Sequence, residues 1–132
     1  MRHVLALAFA LALSFGCYHV RSLLAPERAE ATAPKLYAER CSPCHGPEGR
    51  GDGPAGQSLD PRPRDFASAA WQAATTDAHI RDTIHGGGAS VGLSSFMPAQ
   101  PDLSEGQLRE LVAYVRAVGA RASQSAATAS SE

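Results

Sequence analysis

The chain has 132 residues, of which 44% are hydrophobic and 19% are charged, and its formal net charge is -1 at pH 7. These values describe an ordinary globular protein with room for one domain, and they exclude the basic excess that nucleic-acid binding requires. The three cysteines, Cys17, Cys41 and Cys44, are too few and odd in number to indicate a disulfide framework.

Residues 1–17 predict an export signal. A short basic start precedes an apolar run, which is shorter than the roughly 20 residues that a membrane-crossing helix needs. The signal can end in two ways: Cys17 can become the lipidated first residue of a lipoprotein, or cleavage can follow small residues near Ala25 or at 29–31. Lipidation is favoured because a free thiol in an oxidising compartment is a liability. We therefore expect an exported, periplasmic protein, tethered to the membrane if Cys17 is lipidated.

The rest of the chain divides into three parts by composition. Residues 18–33 lack hydrophobic periodicity and predict a flexible tether. Residues 34–119 contain the periodic segments and form the expected folded domain. Residues 120–132 are rich in Ala, Ser and Thr and predict a disordered tail.

Two helices are predicted before the last third of the chain. The first spans about 34–44 and begins with a proline, which suits a first helical turn. The second spans about 76–85, with Thr75 or Thr76 as its cap. Ile80 and Ile84 are expected to face inward on this second helix, and Gly86 is expected to end it.

The last predicted helix has the clearest pattern. Ser104 and Gln107 form a capping box at its start, and Gly119 is expected to end it. Its inward positions recur at helical spacing and are Leu108, Leu111, Val112, Val115 and Val118.

Loops rich in Gly and Pro separate these helices, at about 46–74 and 86–102. Loops of this length are unusual in a small domain unless another group organises them. A large flat cofactor would supply the hydrophobic centre that such a chain lacks.

The sequence Cys41-Ser42-Pro43-Cys44-His45 is the most informative motif. Two thiols one helical turn apart project from one side of a helix, so both can form thioether bonds to the vinyl groups of one haem. The histidine that follows is expected to coordinate the iron as its proximal ligand. A thioredoxin-like redox pair would need a βαβ setting, a structural zinc site would need a second cysteine pair, and a chance match is the third alternative.

Met97 is the expected sixth ligand of the iron. Apart from Met1 it is the only methionine, and it lies in a proline-flanked loop just before the last helix. A thioether is a soft donor that favours ferrous iron. The alternatives are a core role for Met97, or ligation by His79 or His85, which lie on the second helix where surface exposure is the commoner fate.

Two further contacts with the cofactor are predicted. A haem-ligating histidine usually donates its second ring N–H to a carbonyl, and the carbonyl of Pro61 or Pro63 is the candidate partner of His45. These prolines can equally serve only as rigid loop residues. Trp71 can pack on the haem edge and donate its indole N–H to a propionate, or it can be a plain core residue.

Together these residues resemble the class I c-type cytochromes of bacteria, over about residues 33–118. The segment 41–46 matches the haem-binding motif of that family, and 96–98 followed by the start of the last helix matches its axial-methionine region. The positions that match the family's crossing of first and last helices are Tyr37, Leu111 and Tyr114. The features similar to a subset found beside respiratory complexes and dehydrogenases are 62–66, Trp71 and Gly86-Gly87.

This resemblance implies an all-α cytochrome c fold, with three to four helices and long loops wrapped around one covalent haem c. It also implies iron ligation by His45 and Met97 and single-electron exchange between a redox donor and acceptor, not enzymatic catalysis. Lys35 is the only lysine, so the lysine ring that some family members use for docking is missing. Two other interpretations stay open: a haem-containing relay subunit of a larger redox complex, and a haem peroxidase or gas sensor, which would need an open iron position.

Overall fold

The computed structural model describes residues 32–129, and within that range every regular element is helical. Helix α1 consists of three contiguous segments, the α-helical Ala33–Leu36, the π-helical Tyr37–Cys41 and the α-helical Ser42–His45. The later elements are α2 at Ala69–Ala74, α3 at Asp77–Gly86, a 3-10 turn at Gly88–Val91, and α4 at Glu105–Ala129. The all-α fold expected from the sequence is confirmed. No helix in this range is long and apolar enough to span a membrane.

Residues 1–31 and 130–132 lie outside the described part of the chain. The export signal, the lipidation of Cys17 and nearly all of the tether therefore stay predictions. Helix α1 begins at Ala33, one residue before the predicted start of the folded domain.

Helix α1 follows the sequence prediction closely. Pro34 occupies its first turn, where a missing backbone N–H costs nothing, and Leu36 and Tyr37 are buried. The π-helical turn arises where the backbone N–H of Ser42 bonds to the carbonyl oxygen of Tyr37. This wider turn lies between the start of the helix and Cys44, and such turns are frequent at functional sites.

Helix α3 lies where the sequence predicts the second helix. The side-chain oxygen of Thr76 accepts a backbone N–H of the first turn at 3.2 Å, which confirms Thr76 as the cap. Ile80 and Ile84 are buried, as their spacing predicts. The helix ends at Gly86, also as predicted.

The start of helix α4 is the predicted capping box. The backbone N–H of Ser104 donates to Oε1 of Gln107 at 3.0 Å, and the backbone N–H of Gln107 donates to Oγ of Ser104 at 3.2 Å. The inward positions predicted from periodicity are all buried, namely Leu108, Leu111, Val112, Val115 and Val118.

The end of helix α4 differs from the prediction, because the helix passes through Gly119 and continues to Ala129. Within the tail predicted over 120–132, residues 120–129 are helical. A glycine costs a helix only about 1 kcal/mol relative to alanine, and the alanines, arginine and glutamine of the next turns favour the helix. The Ser123 hydroxyl donates to the Gly119 carbonyl at 3.0 Å, so this serine does not interrupt the helix.

Helix α2 replaces the last residues of the loop predicted over 46–74. It is too short to show a hydrophobic period, so no sequence pattern marks it. Contacts with α4 stabilise it instead: the side-chain amide of Gln72 donates to the Val115 carbonyl at 3.0 Å. Arg116 donates in return to the Gln72 carbonyl at 2.8 Å.

The core lies where α1 crosses α4, and α3 packs on the same side chains. At the crossing the rings of Tyr37 and Tyr114 lie 4.8 Å apart, which fits the helix crossing expected from the resemblance. Cys41 and Met97 are partly buried and pack against this core. The buried core residues are Ala33, Leu36, Tyr37, Phe66, Ile80, Ile84, Leu103, Leu108, Leu111, Val112, Val115 and Val118.

Candidate functional site

The cysteine motif occupies the C-terminal part of α1. Cys41 is the last residue of the π-helical turn, Cys44 lies in the α-helical segment that follows, and both are half-buried with free thiols. Burial raises the pKa of the Cys41 thiol to about 11, although the neighbouring Arg40 cation opposes this shift. The thiol of Cys41 is therefore held in its neutral form at physiological pH.

His45 is the last residue of α1 and is only 9% exposed. Its Nδ1 lies 3.1 Å from the carbonyl oxygen of Arg64. Because a carbonyl can only accept, Nδ1 carries the hydrogen and the neutral ring keeps a free electron pair on Nε2. Burial lowers the pKa of His45, which favours this neutral form, while the bond to Arg64 acts in the opposite direction.

The partner of His45 corrects the sequence prediction. The expected carbonyl was that of Pro61 or Pro63, but the bond is formed by Arg64, the next residue along the chain. The loop and the type of contact match the prediction, and only the residue differs. No side-chain signal marks a backbone acceptor, so the prolines identify the region without identifying the residue.

Two aromatic residues that follow Arg64 in the chain pack next to His45, one directly and one through the other. The ring of Phe66 stacks on the imidazole with centroids 4.5 Å apart and planes 16° from parallel. Trp71 packs behind it, with its ring centroid 5.3 Å from that of Phe66. The sequence reasoning did not assign Phe66 this role. The contact of Trp71 with a propionate stays a prediction.

The chain after His45 turns back over the end of α1. The backbone N–H of Gly51 donates to the His45 carbonyl at 2.8 Å, and that of Gly53 donates to the Cys44 carbonyl at 3.1 Å. Gly51 has φ +74°, and a Cβ atom there would lie 2.3 Å from the Pro63 carbonyl oxygen. Only glycine lets the turn around Gly51 approach the segment around Pro63 this closely. This contact holds Arg64, the residue after Pro63, beside His45.

The hydroxyl of Tyr37 fixes the same turn from inside the core. It donates to the Gly46 carbonyl at 2.8 Å, and Tyr37 is almost fully buried. Burial raises the pKa of Tyr37, so the hydroxyl keeps its proton and remains a donor. The backbone next to His45 is therefore tied to both α1 and the core.

Met97 lies in a second loop, residues 92–102, which we call the Met97 loop. Its carbonyl accepts the backbone N–H of Gly88 at 3.0 Å, and its own N–H donates to the Ser94 carbonyl at 3.3 Å. Two large apolar side chains of this loop are unusually accessible, with Leu93 48% and Phe96 60% exposed. The rival ligands predicted from the sequence, His79 and His85, are exposed on α3.

The donor set fits a covalently bound haem. Two thiols on one helix can form thioethers, and the buried imidazole of His45 has its Nε2 electron pair available for iron. Met97 packs on the same core as Cys41 and supplies the one thioether of the described residues. These residue types are those that bind haem iron in electron-transfer proteins.

Comparisons with known proteins indicate a c-type cytochrome. The family model described as "Cytochrome C oxidase, cbb3-type, subunit III" matches residues 28–115, which is more than half of the chain. The solved structure of the KustC0563 c-type cytochrome is 30% identical with a TM-score of 0.53, and the match covers 67% of this chain and 98% of that one. No curated protein matches the chain significantly. The chain therefore belongs to the cytochrome c family, with a domain like that of cbb3-type cytochrome c oxidase subunit III.

Proposed function

We propose that the protein is a single-electron carrier that holds one haem c through thioether bonds to Cys41 and Cys44. The observation that carries the proposal is the setting of His45, a buried neutral imidazole whose Nδ1–H is bound by the Arg64 carbonyl. A histidine that served only as a core residue would not need to follow the two cysteines directly. Membership of the cytochrome c family supports the same cofactor.

Different residues would hold different parts of the haem c group. Haem c, when bound, supplies an iron that exchanges one electron between its ferrous and ferric forms. Cys41 and Cys44 would hold it covalently, and His45 and Met97 would be the axial ligands of its iron. The Arg64 carbonyl and the Phe66 ring orient His45, and Trp71 is the candidate for a hydrogen bond to a propionate.

Ligation by both His45 and Met97 distinguishes a carrier from an enzyme. With both axial positions filled, a substrate or gas has no free coordination position, so a peroxidase or gas sensor is disfavoured. The support for Met97 is its place in a loop that packs on the core near the attachment helix. A soft thioether also favours the ferrous form and raises the reduction potential.

The expected setting is the periplasm, with redox proteins as donor and acceptor. The export signal over 1–17 and the lipidation of Cys17 are the sequence features that support it. The name of the matching family, an oxidase subunit, favours a second candidate function, in which this domain is a relay within a larger membrane-associated complex. Extraction with a mild detergent, followed by size measurement and identification of the chains that co-purify, separates a single carrier from a complex subunit.

The covalent attachment is tested by extraction with acidified acetone. We expect wild-type protein to keep its haem, and the Cys41→Ala/Cys44→Ala double variant to release any haem that it binds. Haem that leaves the intact wild-type chain would contradict the proposal.

The sixth ligand is tested by the Met97→Ala variant. We expect a lower midpoint potential, loss of the methionine-to-iron absorption band, and a gain of carbon monoxide binding by the ferrous form relative to the wild type. His79→Ala and His85→Ala serve as controls and are expected to leave the spectrum and potential unchanged. An unaltered spectrum for Met97→Ala, with a change in either histidine variant, would assign the ligand to that histidine.

A further inference from the structure

One side chain of α1 reaches across to the Met97 loop. Arg40, which directly precedes Cys41, donates to Oε1 of Gln100 at 3.1 Å and to Oδ1 of Asp102 at 2.9 Å. The second oxygen of the same carboxylate lies 2.8 Å from the guanidinium. We call these three residues, Arg40, Gln100 and Asp102, the Arg40 cluster. Both of its acceptors follow Met97 within the loop.

The Arg40 cluster is anchored on the side of α3 as well. The backbone N–H of Gln100 bonds to the carbonyl oxygens of Ile84 and His85, at 3.1 and 3.2 Å. Leu103, just beyond the cluster, is buried in the core. The guanidinium of Arg40 therefore binds a part of the loop that is already fixed to the end of α3 and to the core.

The segment that carries Met97 has few other attachments. Phe96, its neighbour, is 60% exposed, and Pro98 and Ala99 are exposed too. One backbone hydrogen bond from Gly88 reaches the Met97 carbonyl. Core packing and the backbone bonds to Gly88 and Ser94 therefore hold Met97 on one side, and the Arg40 cluster holds its loop on the other.

We propose that Arg40 is a positioning residue, which holds the Met97 loop against α1 and thereby keeps Met97 on the haem iron. The inference rests on the proposed function, since it requires Met97 to be the sixth ligand. Its consequence is that Arg40 controls how often Met97 leaves the iron and how easily an external ligand replaces it. The cluster joins the helix that carries the covalent attachment to the loop that carries the sixth ligand.

One nitrogen of Arg40, Nη1, makes all three of these contacts: it donates to the amide oxygen of Gln100 and lies beside both carboxylate oxygens of Asp102. A lysine at this position would keep the positive charge but place it on a side chain of different shape and length, so it should preserve the contacts only in part. The pair is partly open to water, with 35% of the Arg40 side chain and 61% of the Asp102 side chain accessible. Exposed ion pairs contribute modestly, so the expected effect is a change in ligand exchange and not unfolding.

The test measures imidazole binding to the ferric, haem-loaded protein by absorption titration. We expect Arg40→Gln and Asp102→Asn each to raise the imidazole association constant about threefold, and Arg40→Lys to give a smaller rise. Lys35→Gln is the matched control, because it removes an ion pair with Glu39 that lies wholly within α1. The control is expected to bind imidazole as the wild type does.

A double variant distinguishes a positioning role of Arg40 from a direct effect of its charge on imidazole binding. When Arg40→Gln is combined with Met97→Ala, its effect on imidazole binding should disappear, because no methionine is left to be displaced. An effect that persists in that background, or no effect of Arg40→Gln alone, would overturn the inference. If Met97→Ala by itself leaves imidazole binding unchanged, the assignment of the sixth ligand fails first and the inference about Arg40 fails with it.

Discussion

The two residues proposed as axial ligands lie in very different surroundings. His45 ends a helix, is 9% exposed, and is oriented by a carbonyl and a stacked ring that are themselves tied to the core. Met97 lies in a loop whose neighbouring apolar side chains are exposed and whose cross-contact is the partly accessible Arg40 cluster. His45 is thus held by buried contacts, whereas Met97 packs on the core from a loop whose cross-contact to α1 is polar and lies at the surface. Changes on the His45 side should cost stability, whereas changes on the Met97 side should mainly alter ligand exchange.

The largest expected difference is between two phenylalanines. Phe66 is 8% exposed and stacks on His45, whereas Phe96 is 60% exposed beside Met97. We expect Phe66→Ala to lower the free energy of unfolding of the haem-loaded protein by about 3–5 kcal/mol, and Phe96→Ala to change it by less than about 0.5 kcal/mol. Guanidinium unfolding measures both values. If the two variants lost the same free energy of unfolding, the surroundings of His45 would not be more tightly packed than those of Met97, and the comparison would fail.

Two glycines with similar positive φ angles give the next comparison. Gly51 has φ +74° and Gly92 has φ +75°, so an alanine at either position costs about 1–2 kcal/mol of backbone strain. At Gly92 nothing lies within 4 Å of the new Cβ, whereas at Gly51 the Pro63 carbonyl oxygen lies at 2.3 Å. We expect Gly51→Ala to destabilise the protein by more than about 3 kcal/mol, because backbone atoms cannot rotate away from the clash.

The same pair of variants also tests how His45 is oriented. Displacing Pro63 moves Arg64, so Gly51→Ala should alter the electron paramagnetic resonance spectrum of the ferric form, which responds to the orientation of the axial ligands. Gly92→Ala should leave that spectrum as in the wild type. A spectral change confined to the Gly92 variant would show that the contact between Gly51 and Pro63 does not orient His45.

A smaller effect is expected where α2 meets α4. A Cβ atom on Gly119 would lie 2.6 Å from the side chain of Gln72, whose amide donates to the Phe66 carbonyl at 2.8 Å and to the Val115 carbonyl at 3.0 Å. Gly119→Ala should therefore cost about 1 kcal/mol, because the amide must give up part of this bonding. In the Gln72→Ala background the clash is gone, and the same substitution should stabilise α4 by up to about 1 kcal/mol.

This change of sign is the critical result of the Gly119 experiment, and a double-mutant cycle measured by thermal unfolding records it. Arg109→Ala, at an exposed position of the same helix, provides a matched surface control. If Gly119→Ala has the same effect with and without Gln72, the close approach of the two residues has no energetic consequence.

The sequence contains the local features of this site and lacks the tertiary ones. The spacing of Cys41, Cys44 and His45 and the capping box of Ser104 and Gln107 are short-range patterns with a direct physical meaning, and these helices lie where predicted. Periodicity likewise predicted the buried face of α4, because a repeat over several turns averages out single exceptions.

The features that were missed depend on contacts between distant segments. The Arg64 carbonyl is a backbone group, so residue type gives no signal for its bond to His45. Gly119 is a usual helix terminator, but it lies against the Gln72 side chain, which an added Cβ would approach to 2.6 Å, and the helix continues past it. In both cases the role of the residue depends on a contact with a segment more than fifteen residues away, which no single segment of sequence reveals.

The smallest expected effect concerns the pH response of the Arg40 cluster. The hydrogen bond from Arg40 holds the pKa of Asp102 below its ordinary value of 3.8, because the guanidinium favours the ionised carboxylate. A carboxyl whose pKa is lowered by folding contributes stability above its unfolded pKa and loses it as the pH falls through the folded pKa. Across neutral pH the contribution is therefore constant, and it disappears only in acid.

We expect wild type and Asp102→Asn to differ by a small, constant amount in unfolding midpoint between about pH 5 and pH 8, and to converge below the ordinary pKa of an aspartate. Added salt should shrink the difference, because both partners are accessible to water. A difference that instead changed near pH 6 to 7 would assign the effect to a histidine and not to Asp102. The response is expected on the Met97 side, because Asp102 and its partner Arg40 hold the Met97 loop there.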